Sequence, residues 1–189
     1  IKPAYDVKYD DRVEIKYDKD TNRGYLKLKY IDENLNLIRE RDIVFDIGSS
    51  DCGFVKYASE RCRFVYGIEI SKEFQDVINE MNTKNNVMIV IGNIERYPLE
   101  DLLRMRPTLV LNDLSVAWEY SISILARVIP CCSDDPRILL TLKGVREITQ
   151  DIEDKLRKNN LKVVETLEGW DSQEIYVLLR YSAPGSHQS

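Results

Sequence analysis

Histidine is nearly missing from this chain of 189 residues: its one copy, His187, sits in a polar terminal stretch. A His-based catalytic triad or a His-rich metal centre therefore has nothing to build on. The four cysteines, Cys52, Cys62, Cys131 and Cys132, form no C-x-x-C pair, so no metal site is expected. Cys62 beside an apolar run and the adjacent Cys131 and Cys132 read as buried free thiols. No apolar run reaches the roughly 18 residues that a membrane span needs. Residues 1–20 alternate charge with Tyr and Val where a secretory signal would be apolar, so a cytoplasmic protein is expected. A basic excess is missing too. With 27 Lys and Arg against 32 Asp and Glu, the net charge of −5 argues against a surface that grips nucleic acid indiscriminately.

What is present is the composition of an ordinary globular domain, 43% hydrophobic and 31% charged, with room for one sheet between two helical layers. From residue 43 short apolar runs alternate with helix-period segments. The runs are Ile43–Ile47, Phe64–Ile70, Val87–Ile91, Thr108–Leu111, Arg137–Leu142, Leu161–Leu167 and Glu174–Tyr181. Between them, helices are expected over Phe54–Arg61, Ser71–Asn82, Leu99–Met105, Val116–Val128 and Val145–Asn159, with Ser71 and Ser115 as N-caps. Only the short link Glu168–Ser172 joins the last two runs, which makes that end of the sheet antiparallel. The pattern predicts the α/β class: a Rossmann-like doubly wound sheet of seven strands, mostly parallel with an antiparallel last strand, and helices on both faces. Three segments follow. Residues 1–42 form an N-terminal extension on the substrate side, with strand-like alternation at Val13–Tyr17 and a helix near Arg23–Ile31; residues 43–182 form the main domain; residues 183–189 form a flexible tail.

One turn carries a nucleotide-site signal. Ile43 to Gly53 reads I-V-F-D-I-G-S-S-D-C-G, an apolar strand running into small residues before a helix. Gly48 and Gly53 let backbone approach a ligand at the carboxyl edge of the strand, where open sheets bind their ligands. The spacing is not the dinucleotide fingerprint G-x-G-x-x-G. The next strand ends at Glu69, about 20 residues beyond the turn, where a carboxylate can accept from both hydroxyls of a ribose. The third ends at Ile91-Gly92-Asn93, a polar group where an adenine would lie.

This order of acid, acid and polar group resembles the Rossmann-like S-adenosylmethionine-dependent methyltransferases. The resemblance implies S-adenosyl-L-methionine as cofactor, in contact with Asp46, Gly48, Ser49, Ser50, Gly53, Phe54, Glu69, Ile70, Asn93, Ile94 and Asp113. Asn93 stands where that family commonly has Asp, and an amide still offers a donor and an acceptor to adenine's edge. Carboxylates at Asp46 and Glu69 also suit adenosine hydroxyls and a sulfonium better than a pyrophosphate.

Four more charged residues sit far apart in sequence. Arg23-Gly24-Tyr25-Leu26-Lys27-Leu28, Leu111-Asn112-Asp113-Leu114-Ser115, Thr141-Leu142-Lys143-Gly144 and Ser172-Gln173-Glu174-Ile175-Tyr176-Val177 together resemble the FtsJ-like RNA ribose 2′-O-methyltransferases over about Arg23 to Arg180. Singly, Lys27 and Lys143 read as solvated lysines, Asp113 as a strand-end acid and Glu174 as a sheet-edge acid. Their joint K-D-K-E order is the specific part. It implies a ribosomal or transfer RNA substrate, with Lys143 as proton acceptor, Asp113 as its electrostatic partner, and Lys27 and Glu174 holding the hydroxyl. Two less acidic stretches, 1–42 with ten basic and ten acidic residues and 143–162 with six and four, are then candidate RNA-facing surface. Trp118 or Trp170 could stack a base or simply pack.

The chain departs from the family at Asp51-Cys52, which replaces a Pro-Gly pair, at Gln173, which replaces a basic residue, and after Asp113, where a proline is missing and the segment is shorter. These departures surround the substrate side more than the cofactor. Two rivals follow: a small-molecule or protein methyltransferase, favoured by the pI of 5.1, and a non-catalytic cofactor- or RNA-binding module, suggested by Cys52. The acidity also suggests that RNA affinity comes from an accessory protein or a preassembled particle.

Overall fold

The computed structural model describes residues 22–169 and 173–182. The strand expected at Val13–Tyr17, Trp170 and the tail 183–189 lie outside them. In chain order the elements are α1 (Arg23–Leu35), β1 (Ile43–Ile47), α2 (Gly53–Ser59), β2 (Phe64–Glu69), α3 (Gln75–Met81), β3 (Val87–Ile91), α4 (Leu99–Leu102), β4 (Leu109–Asn112), α5 (Trp118–Val128), β5 (Arg137–Lys143), α6 (Gln150–Lys158), β6 (Leu161–Glu168) and β7 (Glu174–Tyr181).

The seven strands form one sheet in the order β3-β2-β1-β4-β5-β7-β6. β1 to β5 run parallel, and β7 is antiparallel to both β5 and β6. The apolar runs of β1, β4 and β5 are buried on both faces, as parallel strands under crossover helices must be. Val44, Val65, Leu109 and Leu139 meet α1, α2 and α3 on one face; Phe45, Tyr66, Val110 and Leu140 meet α4, α5 and α6 on the other. Strand order reverses between β1 and β4, and that is where a doubly wound sheet opens a crevice at its carboxyl edge.

α1 belongs to this core. Asn22 caps it, its side chain accepting from the Tyr25 N–H at 2.8 Å, and the stripe Leu28, Ile31, Leu35 is buried. Asn36 ends it in the left-handed conformation. At the opposite edge of the sheet, Arg137 pairs with Asp42 through Nη2 at 2.5 and 2.7 Å, and Thr108 Oγ donates to the same carboxylate at 2.8 Å.

Several boundaries differ from the sequence reading. Ser71 caps, but it caps a 3-10 turn over Lys72–Phe74 before α3 begins. α4 is a single turn because Leu103 leaves helical geometry (ψ 51°). α6 starts at Gln150, five residues after Val145, because Gly144 turns the chain at φ 72° and Thr149 is the residue with cap geometry. Ser115 caps nothing: α5 starts at Trp118 behind Ala117, and the Ser115 hydroxyl is engaged elsewhere.

Candidate active site

The crevice between β1 and β4 holds a cleft of about 670 Å³. Lys27, Asp46, Gly48, Ser49, Ser50, Gly53, Phe54, Glu69, Ile70, Asp113, Lys143 and Glu174 all line it. Topology explains the gathering. Asp46 and Glu69 end β1 and β2, Asp113 follows β4, Lys143 ends β5, and antiparallel β7 places its first residue, Glu174, in register with Lys143. α1 brings Lys27 across from the other side. Asn93 and Ile94 are not among the lining residues: they follow β3, and the Asn93 Oδ1 accepts from the Glu95 N–H at 2.8 Å, closing a local turn.

Two walls of the cleft are locked together by glycine. A Cβ on Gly53 would stand 2.2 Å from Asn22 Oδ1 and 2.8 Å from the Gly24 Cα, so α1 docks on the turn at a distance that only glycine permits. Asn22 Nδ2 adds a hydrogen bond to the Asp51 carbonyl at 3.1 Å. Gly48 is constrained twice, by φ 80° and by Leu114, whose Cδ2 would lie 2.6 Å from an added Cβ.

Asp113 receives both lysines. Lys27 Nζ donates to Asp113 Oδ1 at 2.7 Å, to Oδ2 at 3.0 Å and to Glu174 Oε2 at 3.0 Å. It is buried, 7% exposed, and lies 5.3 Å from the centroid of the Tyr176 ring. Among the described residues, every hydrogen-bond partner of this ammonium is a carboxylate oxygen, which accepts and cannot donate. Lys27 is therefore held purely as a donor, tied to two carboxylates at once. Lys143 differs. Its Nζ donates to the Asp113 carbonyl at 2.9 Å and to Ser115 Oγ at 2.8 Å, with Asp113 Oδ1 at 3.4 Å.

Glu174 has its own support. The Tyr176 hydroxyl donates to Glu174 Oε1 at 2.5 Å, and the side chain of Tyr176 is fully buried. Sequence reading missed Tyr176 because it sits inside an apolar strand; the available signal was that residues two apart on a strand share a face. It also did not single out Arg23, Gly24, Phe74, Leu114, Ser115 and Gly144 as lining residues, whereas Asp51 and Gln173, read as departures on the substrate side, do line the cleft.

On the β1–β2 side the carboxylates behave differently from each other. Glu69 is pinned by two backbone donors, Ser50 N–H to Oε2 and Ser71 N–H to Oε1, each at 2.7 Å. Asp46 is 2% exposed and its Oδ2 has no hydrogen-bond partner among the described residues. Burial pushes its carboxyl up to about 7; the negative charges of Asp113, Glu69 and Asp51 add to this, and a hydrogen bond from Ser49 opposes it. An orphaned buried acceptor on a cleft wall is the arrangement that suits an incoming cation with N–H groups. Beside it, Ile70 is 68% exposed and Phe74 half-buried, an apolar surface turned into an otherwise polar cleft.

The sequence profile of the FtsJ-like methyltransferases matches residues 21–180. The chain belongs to that family. Among curated proteins none matches this FtsJ-like methyltransferase significantly. Solved structures share its fold. A protein of Streptococcus thermophilus carried under the name hemolysin superposes with a TM-score of 0.72 at 17% identity, covering 90% of this chain and 70% of the other. Aeropyrum pernix fibrillarin, solved with natively bound S-adenosyl-L-methionine, gives 0.66 at 16%, covering 82% and 75%. M. jannaschii TYW2, in complex with the same compound, gives 0.56 at 16%, covering 84% and 75%. At these identities the likeness is one of fold. Family membership makes the protein a methyltransferase with S-adenosyl-L-methionine as its cofactor. Among the described residues of this FtsJ-like methyltransferase, no helix is long and apolar enough to cross a membrane.

Proposed function

We propose that this methyltransferase acts on a ribose 2′-hydroxyl of RNA, ribosomal or transfer. The observation that carries the reading is the pairing of two lysines on Asp113, one held as a donor between it and Glu174 and the other beside a neutral hydroxyl and a carbonyl. A ribose hydroxyl is a weak nucleophile until its proton has an acceptor, and Lys143 is the lysine with a neighbour, the Ser115 hydroxyl, that can donate as well as accept. Asp113 orients both ammonium groups. Lys27 and Glu174, held by Tyr176, fix the hydroxyl and balance the charge around it.

The cofactor fits the other half of the cleft. It supplies an electrophilic methyl group on a sulfonium. Asp46 Oδ2 would accept from its amino group, Glu69 would take its ribose hydroxyls, and the turn from Gly48 to Gly53, with Ser49, Ser50 and Phe54, would follow its backbone side. Ile70 and Phe74, which line the cleft, would cover the adenine.

The test is methyl transfer from tritiated S-adenosylmethionine to unmodified transcripts of ribosomal and transfer RNA, followed by digestion to nucleosides. Label in a 2′-O-methylnucleoside supports the reading; label confined to a base, a protein or a small molecule refutes it. Because the net charge is −5, the reading includes an accessory protein or particle that supplies RNA affinity. Tight, salt-sensitive binding of the purified protein to naked RNA would argue against that part.

A further inference from the structure

We propose that Ser115 is the proton switch of the site, the hydroxyl through which Lys143 gains the substrate's proton. This rests on the ribose-methylation reading and adds a residue that the K-D-K-E set does not contain.

The argument is an inventory of protons and lone pairs. As an ammonium, Lys143 Nζ has three N–H donors, and among the described residues it has three acceptors: the Asp113 carbonyl at 2.9 Å, Ser115 Oγ at 2.8 Å and Asp113 Oδ1 at 3.4 Å. As a neutral amine it has two N–H groups and one lone pair, and that lone pair is satisfied from within the protein only if one of its two hydrogen-bonded neighbours changes from acceptor to donor. A carbonyl cannot, and a carboxylate that also holds Lys27 cannot. A hydroxyl can, by rotating its own proton. Ser115 is therefore the one neighbour that satisfies Lys143 in both states, and it fixes the direction of the lone pair.

Position agrees with this role. Ser115 lines the cleft and is exposed, so its oxygen is open to a bound hydroxyl. The groups facing Lys143 come from three elements: Asp113 and Ser115 after β4, Glu174 opposite it on β7, and Lys27 of α1 through their shared carboxylate. In the step itself the ribose O–H bond breaks and its proton passes to Ser115 Oγ, while the proton of Ser115 passes to the lone pair of Lys143 Nζ, which ends as an ammonium. The electron pair left on the ribose oxygen forms the new bond to the methyl carbon, and the pair of the severed carbon–sulfur bond stays with sulfur.

Threonine and valine separate this from a packing role, since they share a shape and differ by one hydroxyl. In the assay on unmodified RNA transcripts, Ser115→Val is expected to lower kcat by about 100-fold or more with donor affinity unchanged. Ser115→Thr is expected to stay within about threefold of the parent. Calorimetric titration with S-adenosylmethionine shows that each variant is folded and loaded. Equal kcat for the two variants, whether both high or both low, overturns the switch while leaving ribose methylation standing. If the parent protein labels no ribose, the reading and the switch fall together.

Discussion

Asp46 offers a test in which stability and donor binding must move in opposite directions. The folded state raises its carboxyl from 3.8 to about 7, chiefly by burial, so between those values the folded protein holds a proton that the unfolded chain has lost. Stability is then fullest at low pH and falls as pH rises, by about 1.4 kcal/mol for each pH unit until the folded group has ionised near 7. Asp46→Asn removes that dependence. From about pH 5.5 to pH 8 the variant should gain about 2 kcal/mol relative to the parent, since only the part below 7 counts. In a chain of this size that is worth about 4 to 8 °C of melting temperature. The assay is a melting curve on each protein, free of donor, at both pH values. In the presence of S-adenosylmethionine at the higher pH the order reverses, because the amide has no charge to offer the donor's amino group; a loss of about 10- to 100-fold in affinity is expected. A melting-temperature difference between the two proteins that does not change with pH would refute the account of Asp46 as a carboxylate held against its burial.

Other perturbations probe the rest of the cleft. Lys27→Met leaves buried Glu174 without its cation and Asp113 with Lys143 alone, and should cost about 3–5 kcal/mol in urea denaturation; a loss below about 1 kcal/mol would show that the pair is not buried as described. Tyr176→Phe keeps the ring over Lys27 but deletes the donor to Glu174, for an expected loss of about 1–3 kcal/mol and a lower methyl-transfer rate at unchanged donor affinity. Gly48→Ala meets both the left-handed backbone and Leu114, so a destabilisation of about 1–2 kcal/mol with weakened donor binding is expected, read from the urea midpoint and by calorimetry.

The sheet was legible because buried parallel strands write themselves as unbroken apolar runs: Ile43–Ile47 and Val87–Ile91 match to the residue. Helix ends were less legible. Val145 to Thr149 has the polarity of a helix start, but the chain there is still turning out of Gly144, and side-chain period carries no information about that dihedral. Ser115 shows the same limit in a sharper form. A serine ahead of an apolar helix is a good cap by local rules, yet its hydroxyl is bound by Lys143 from 28 residues away, a partner that local sequence does not contain. Lys27, Asp113, Lys143 and Glu174 were legible as an ordered set, and topology explains why such distant residues converge; the clamp of Tyr176 on Glu174 was hidden because a tyrosine in a strand looks like any other core residue.

Lys27 lies in the first helix described and Glu174 opens the last strand, so their contact joins residues 147 positions apart. Until β7 is laid against β5, the ammonium on α1 has only half of its counter-charge, and Lys143 has no carboxylate opposite it in the sheet. A ribosome releasing this chain from its amino end therefore exposes the turn from Gly48 to Gly53 long before the cluster of Lys27, Asp113, Lys143 and Glu174 can close. The contact order of the fold is set by this pair: the four charged side chains meet only when the strand that opens with Glu174 is in place.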